Sequence, residues 1–243
     1  MNTKPLKAFT GLTIVMLLLS ACGMVPTLGS RNLVSEPRNV TGYDRVDVSG
    51  GGSMNIIQDG TEGLTVETDD NIMQFVTSEV RGGTLFLGLD SNLRSLLPSR
   101  LHFTLHVKDL SGIKTSGSWD VTSESIQTGN LDIVISGSGK VTIKTLAATQ
   151  LKTSISGSGE MNLTGKAASQ SIDISGSGKY LAGDLKSQEA VIGISGSGNV
   201  TVWATTSLTA HVSGSGEVGY YGSPQVSYNQ SGSGKITSLG GKE

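Results

Sequence analysis

Ser-Gly-Ser-Gly begins at Ser136, Ser156, Ser175, Ser195, Ser213 and Ser231, and a worn copy, Ser116-Gly117-Ser118-Trp119, stands one period earlier. The steps between copies are 20, 20, 19, 20, 18 and 18 residues. Self-similarity at a fixed short period marks stacked repeats. One such unit cannot bury its apolar face alone, so its neighbours must supply the other side of the core. A chain of near-identical rungs also offers a long repetitive surface, better suited to binding than to an active site.

The residues around the phrase say what kind of rung it is. Leu131, Ile133 and Ile135 alternate with other residues before Ser136, and Val141 and Ile143 alternate after Gly139. The pattern returns at Leu151, Thr153 and Ile155, at Met161 and Leu163, at Ile172 and Ile174, at Ile192 and Ile194, and at Val200 and Val202. Period-two alternation marks strands with one buried face. The small residues between them make a corner, where glycine supplies unusual backbone angles or lets coils approach closely. A rung of about 19 residues is too short for a propeller blade, which needs about 40 to 45. The reading is all-β: a right-handed parallel β-helix-like solenoid of about 18–20-residue coils, stacked about 4.8 Å apart with like residues in register. A rolled β-sandwich is the competing architecture.

The N-terminus has a different character. Lys4 and Lys7 precede a mostly apolar run from Ala8 to Leu19, which closes on Leu19-Ser20-Ala21-Cys22. The run is too short to span a bilayer, which takes about 20 residues. It reads as a secretory signal over residues 1–21. Leu-Ser-Ala-Cys resembles the bacterial lipobox, so cleavage is expected between Ala21 and Cys22, with Cys22 carrying the lipid. Cys22 is the single cysteine and has no disulfide partner. Acyl chains contribute about 0.8 kcal/mol per buried CH₂. The expected partner is therefore a membrane, reached through the N-terminal lipid. Gly23 follows Cys22 where aspartate is absent, and in a cell with two membranes that favours the outer one. Residues 22–40, polar and carrying Pro26 and Pro37, read as a flexible tether. Removing residues 1–21 takes away two lysines and no acids, so the formal charge goes from −2 to −4. A mildly acidic chain with no basic cluster argues against nucleic acid.

Residues 41–241 are read as one domain: irregular N-terminal coils over 41–115, then the repeats over 116–241. In the first part Val46 and Val48 precede Ser49-Gly50-Gly51-Gly52-Ser53, and Met54 and Ile56 follow. Asp69-Asp70-Asn71 before Ile72 is a helix-start signal, so a short helix or turn is expected there. Gly82-Gly83 is expected to turn a hairpin into Leu85-Phe86-Leu87. Phe103, Leu105 and Val107 give one more strand. Solenoid ends need such atypical units to cover the open core.

Four features stand together in order: the lipobox, the Val-x-Val-Ser-Gly-Gly-Gly strand, the segment from Asp70 to Leu85, and the Ser-Gly-Ser-Gly ladder. In combination they resemble the head GIN domain family, described as putative auto-transporter adhesins, over Tyr43 to Leu239. The resemblance implies a β-helix-like, glycine-rich extracytoplasmic domain and brings no catalytic residues with it. No transporter barrel is expected from the sequence.

Other chemistry is weighed residue by residue. Gly-Ser-Gly-Lys at 137–140, 176–179 and 232–235 looks like the end of a phosphate-binding loop, but Val141, Tyr180 and Ile236 follow where Ser or Thr is required. Repeats that bind Ca²⁺ carry aspartate just after the glycines. Here those positions are Lys140, Glu160, Lys179, Asn199, Glu217 and Lys235. His102 and His106 on a strand lie roughly 13 Å apart, too far to share a metal. No metal site and no cofactor are expected. No histidine, His211 included, is expected to activate a serine. Asp132 and Asp173 are read as sharing one column two rungs apart, the nearest approach to the carboxylate pair a glycosidase needs. Trp203 and Tyr221 both fall five residues past the last glycine of their repeat, in the outward register on consecutive rungs. They are the candidate ligand face, against ordinary cross-strand packing.

The resulting expectation is a lipid-anchored, non-catalytic protein of the bacterial cell envelope. Its role would be adhesion or another binding or structural task, with an envelope polysaccharide or surface protein as partner. The competing class is a carbohydrate-active β-helix enzyme.

Overall fold

The computed structural model describes residues 27–90 and 96–242. Ala21 and Cys22 lie outside the described residues. Two short strands, β1 (Thr27–Leu28) and β2 (Leu33–Arg38), precede the long β3 (Arg45–Gln58). Then come β4 (Gly63–Asp69), the one-turn α1 (Asp70–Met73), β5 (Val76–Arg81), β6 (Thr84–Leu89), β7 (Leu96–Leu97) and β8 (Leu101–Val107). The repeats follow as β9 (Gly112–Ser123), β10 (Ile126–Gly137), β11 (Lys140–Gly157), β12 (Glu160–Gly176), β13 (Lys179–Gly196) and β14 (Asn199–Gly214). The last are β15 (Glu217–Tyr221), β16 (Gln225–Gly232) and β17 (Lys235–Ser238).

Neighbouring repeats pair in parallel. Ser136 lies beside Ser156, and so on through Ser175, Ser195, Ser213 and Ser231. The result is a β-solenoid of about 6 turns with coils of about 20 residues. Parallel, in-register stacking removes the rolled sandwich. Along β11 buried residues alternate with outward ones, but the alternation breaks at 144–145 and 149–150. Together with the Ser-Gly-Ser-Gly corner, these breaks give each coil three sides.

Sequence register sets the core. Ile135, Ile155, Ile174, Ile194 and Val212 form one inward column, and Val141, Met161, Tyr180, Val200 and Val218 another; all are buried. Each such side chain contributes about 1.5–3 kcal/mol on leaving water. The two glycines of each corner have separate jobs. The first lies at positive φ, for instance Gly137 at 123° and Gly176 at 120°. A Cβ on Gly157 would stand 2.6 Å from the carbonyl oxygen of Gly137. That carbonyl accepts from Ser158 N at 2.9 Å, so the corners carry a hydrogen-bond ladder of their own. The second glycine faces inward: a Cβ on Gly159 would meet Ile135 Cγ2 at 2.5 Å.

The irregular half is built on the same corner. Ser49-Gly50-Gly51-Gly52 pairs with Ser116-Gly117-Ser118-Trp119, so β3 is the first coil and β9 the second. The chain between them forms the cap. β6 and β8 run parallel to β3, β4 runs antiparallel to β8, and β2 antiparallel to β4. The expected hairpin at Gly82-Gly83 joins β5 and β6. Trp119 takes the inward glycine's place and is fully buried, its ring stacked on Phe103 with centroids 5.4 Å apart. The departure from Ser-Gly-Ser-Gly is thus the plug that closes the core beneath the cap.

The expected tether over 22–40 needs correction from Thr27 onward. β1 pairs with β7, β2 pairs with β4, and Val40 and Tyr43 are buried. The cause is Asp69, also buried, which starts α1 but gives the helix no side-chain cap. Its carboxylate instead accepts from Arg31 N at 2.6 Å, Ser99 N at 2.7 Å and Ser99 Oγ at 2.6 Å. Burial pushes its pKa up, but the hydrogen bonds from Ser99 and the backbone outweigh this and hold it below the ordinary carboxylate value. A buried charge needs such donors, and Arg31 N supplies one of the set.

Candidate binding face

Two outward columns flank the glycines. Ser49, Ser116, Ser136, Ser156, Ser175, Ser195, Ser213 and Ser231 form one. On the next side Asn55, Thr122, Thr142, Asn162, Leu181, Thr201, Gly219 and Thr237 form the other. Hydroxyls and amides repeat at the strand spacing of about 4.8 Å, unbroken in the serine column and interrupted by Leu181 and Gly219 in the other.

Charges beside this face cancel from rung to rung. Asp120, Lys140, Glu160, Lys179, Asn199, Glu217 and Lys235 share one column. Lys140 Nζ lies 3.0 Å from Glu160, whose carboxyl is held low by Asn162 first and then Lys140. Lys114–Asp47 and Lys144–Glu124, both 2.6 Å, repeat the device elsewhere. No group of three His, Cys, Asp or Glu side chains converges as a metal site among the described residues.

Trp203 and Tyr221 are register neighbours on β14 and β15. The outward register holds, but Trp203 is only 9% exposed. Lys186 Nζ stands 4.9 Å from its ring centre on one rung, and Lys242 Nζ stands 5.4 Å from it and 4.7 Å from that of Tyr221. The open aromatic pair expected from the sequence is a covered one. A register shift explains part of this: Ala182 pairs with Val202 but Lys186 with Trp203, so residues 183–185 are skipped in the pairing with β14 beside the indole, while Asp184 and Leu185 stay paired with β12. Irregularities of this kind re-aim side chains.

Behind Trp203 runs a buried polar chain that the sequence reading missed. Tyr180 Oη donates to Gln170 Oε1 at 2.7 Å, Gln170 Nε2 donates to Ser187 Oγ at 2.9 Å, and Ser187 Oγ donates to the Trp203 carbonyl at 2.9 Å. Burial pushes the Tyr180 phenol well up, so it stays a donor. The signal was there: Gln170 sits in the inward column of Leu151 and Ala190.

The remaining candidates fall apart or change. His102 and His106 lie on β8, but their Nδ1 atoms turn to Ser53 Oγ and Asp59 Oδ2, each at 2.7 Å. The Thr61 hydroxyl first, and His106 second, hold Asp59 down at about 2. The Ser53–His102 contact is one the sequence reading did not foresee. Burial first, then Arg100, lowers the pKa of His102, so it is neutral near pH 7. Its Nε2 meets Thr104 Oγ1 at 3.4 Å, and the facing Glu67 pairs with Arg100 at 2.7 Å. A nucleophilic pair needs a third group to orient the base; none of these contacts provides it. Asp132 and Asp173 do not share a column. Asp132 pairs with Lys152, whereas Asp173 pairs with Ser154. Counted to the corner serine, one is four residues away and the other two. Asp173 lines a shallow recess with His211 and Asn229, opened by Gly193 in the same column.

Fold and surface define a β-solenoid module with a long hydroxyl- and amide-rich face. The chain belongs to the family described as putative auto-transporter adhesin, head GIN domain, whose profile matches residues 42–224. It is similar to a putative adhesin of Bacteroides fragilis, at 30% identity and a TM-score of 0.83, covering 87% of this chain and 99% of that one. A putative lipid binding protein of Parabacteroides distasonis is 25% identical with a TM-score of 0.76, covering 88% and 100%. A putative adhesin of Parabacteroides merdae, 20% identical with a TM-score of 0.72 over 88% and 98%, shares the fold. No curated protein matches the chain. Among the described residues no helix is long and apolar enough to cross a membrane.

Proposed function

We propose that this protein is a lipid-anchored, non-catalytic binding module of the bacterial cell envelope, held by acylated Cys22, and on the outer membrane where the cell has two. The observation that carries the reading is the surface around the glycine corner, where one outward column of Ser and one rich in Thr and Asn run along adjoining sides of the solenoid. Such a surface presents neutral donors and acceptors at a constant pitch, chemistry that suits a polysaccharide or an extended protein surface. Membership of an adhesin-like family supports a surface or envelope location. The Leu19–Cys22 phrase supports the anchor. A carbohydrate-active enzyme needs two facing carboxylates, and Asp132 and Asp173 stand in different columns.

The test is a binding screen of envelope fractions and glycans with the Cys22→Ser chain, which keeps β1 and β2 in place. Saturable binding without turnover is the expected result. Turnover of any polysaccharide that one Asp, Glu or His substitution abolishes would replace this reading with the enzyme.

A further inference from the structure

The chain places one of its own lysines in a site built for an ammonium group. Lys242 Nζ lies over the faces of both Trp203 and Tyr221. It also donates to the Gly183 carbonyl at 2.7 Å and pairs with the Asp184 carboxylate. Two aromatic faces, one carboxylate and one carbonyl around a cation form an aromatic cage, the arrangement that recognises ammonium ligands. The Trp203 indole Nε1 is buried beside it with no acceptor.

The backbone on either side is equally prepared. The segment before Lys242 runs along the end of β15 and turns at Gly240, whose φ is 103°: Leu239 N donates to the Tyr220 carbonyl at 2.8 Å, and Gly222 N donates to the Gly240 carbonyl at 3.0 Å. Three glycines make room. A Cβ on Gly219 would stand 2.9 Å from Leu239 Cδ1, and one on Gly183 would stand 3.0 Å from the Tyr221 ring. Gly222, at a φ of 96°, turns the chain where β15 ends. The register shift between β13 and β14 at 183–185 leaves the Gly183 carbonyl and the Asp184 carboxylate free to meet at the same ammonium.

We propose that Gly183, Asp184, Trp203 and Tyr221 form a docking site for a peptide of a partner protein that carries a leucine and, three residues on, a lysine ammonium, and that Leu239–Lys242 fills this site in the free chain. The segment already seated there is what selects a peptide over other ammonium compounds. The site adjoins the end of the threonine column, where Gly219 faces Leu239, but its ammonium chemistry differs from that of the neutral side chains there. The tail acts as a built-in competitor. An occupant in cis lowers apparent affinity by the fraction of time the site is open.

The probe is the acetylated, amidated peptide Thr-Ser-Leu-Gly-Gly-Lys, titrated into the full chain by calorimetry. Leu239→Ser with Lys242→Ser should bind it at least about 10-fold more tightly than the unsubstituted chain, because the competitor is gone. Adding Asp184→Asn, an exposed change, should weaken that binding about 5-fold or more at an unchanged melting temperature. Acetylating the peptide's lysine should do the same. Equal binding by the two chains, or by acetylated and free peptides, overturns the proposal. Tighter binding of a glucosamine oligomer than of the peptide would also overturn it and assign the cage to an amino-glycan. Without any substitution, Lys242 should be among the slowest lysines to react with a trace acetylating reagent; labelling at the rate of Lys152 argues against the cage.

Discussion

At the scale of single residues, glycine at the corner is fixed by two independent demands. Gly157, Gly176 and Gly196 have φ of 116°, 120° and 125°, and a Cβ on each would stand 2.5–2.6 Å from the carbonyl oxygen below. Valine at any one of them should lower stability by at least about 1 kcal/mol. Urea midpoints would show it, and unchanged midpoints in all three would contradict the stacked corner. Tyr180 makes a second case. Tyr180→Phe leaves Gln170 Oε1 buried without its donor, which costs about 1–3 kcal/mol. These roles differ in legibility. The glycines announce themselves by repetition. The Tyr180–Gln170 bond, between residues ten apart on adjoining rungs, needs the register before it can be seen. Trp203 shows the same limit: counting gave its column correctly, but its cover comes from Lys242, 39 residues further on, and from a register shift that no alternation reveals.

At the scale of elements, the repeats were readable and the cap only partly so. Alternation located β10 to β14 because each strand has one buried face, and the worn phrase at Ser116 placed β9. Residues 27–40 looked like a tether since Pro37 and the neighbouring polar residues suit a linker as well as an edge strand. Their partner, β4, is antiparallel and lies outside the repeat. Beside that pairing, Asp69 ties Arg31 to the cap, and that gives a pH dependence. Its folded pKa lies below the ordinary 3.8. Its contribution is therefore complete above the unfolded value and is lost as pH falls through the lowered folded one. Amide hydrogen exchange of residues 27–40 should accelerate in that acid range. Asp69→Ala should show the fast exchange already at pH 7, with protection in the repeats kept; slow exchange in that variant would mean another contact holds the segment. The plug at Trp119 belongs to the same joint. Trp119→Ala should cost about 3–5 kcal/mol, measured as a fall in the unfolding free energy.

At the scale of the whole molecule, attachment and binding are separate questions. Mass spectrometry of the mature protein is expected to find an acylated Cys22, and Cys22→Ser to release the chain from membranes. An unmodified thiol in a freely soluble form would remove the anchor from the proposal. The spacing of the coils has a last consequence, for the speed of folding. A β-rich protein is usually slow to fold, since its strands meet partners far along the chain. Here most partners lie about 20 residues apart, as Ser136 and Ser156 do. That separation, over this chain length, gives a relative contact order of about 0.1, the range of helical bundles. The exceptions lie in the cap and at the joint between β3 and β9, where Arg45 meets Gly112 across 67 residues. The regular rungs should zip first from a nucleus anywhere along β10 to β13, and the long loop should close afterwards. Substitutions in those rungs should then slow folding, whereas substitutions at the β3–β9 seam should mainly speed unfolding.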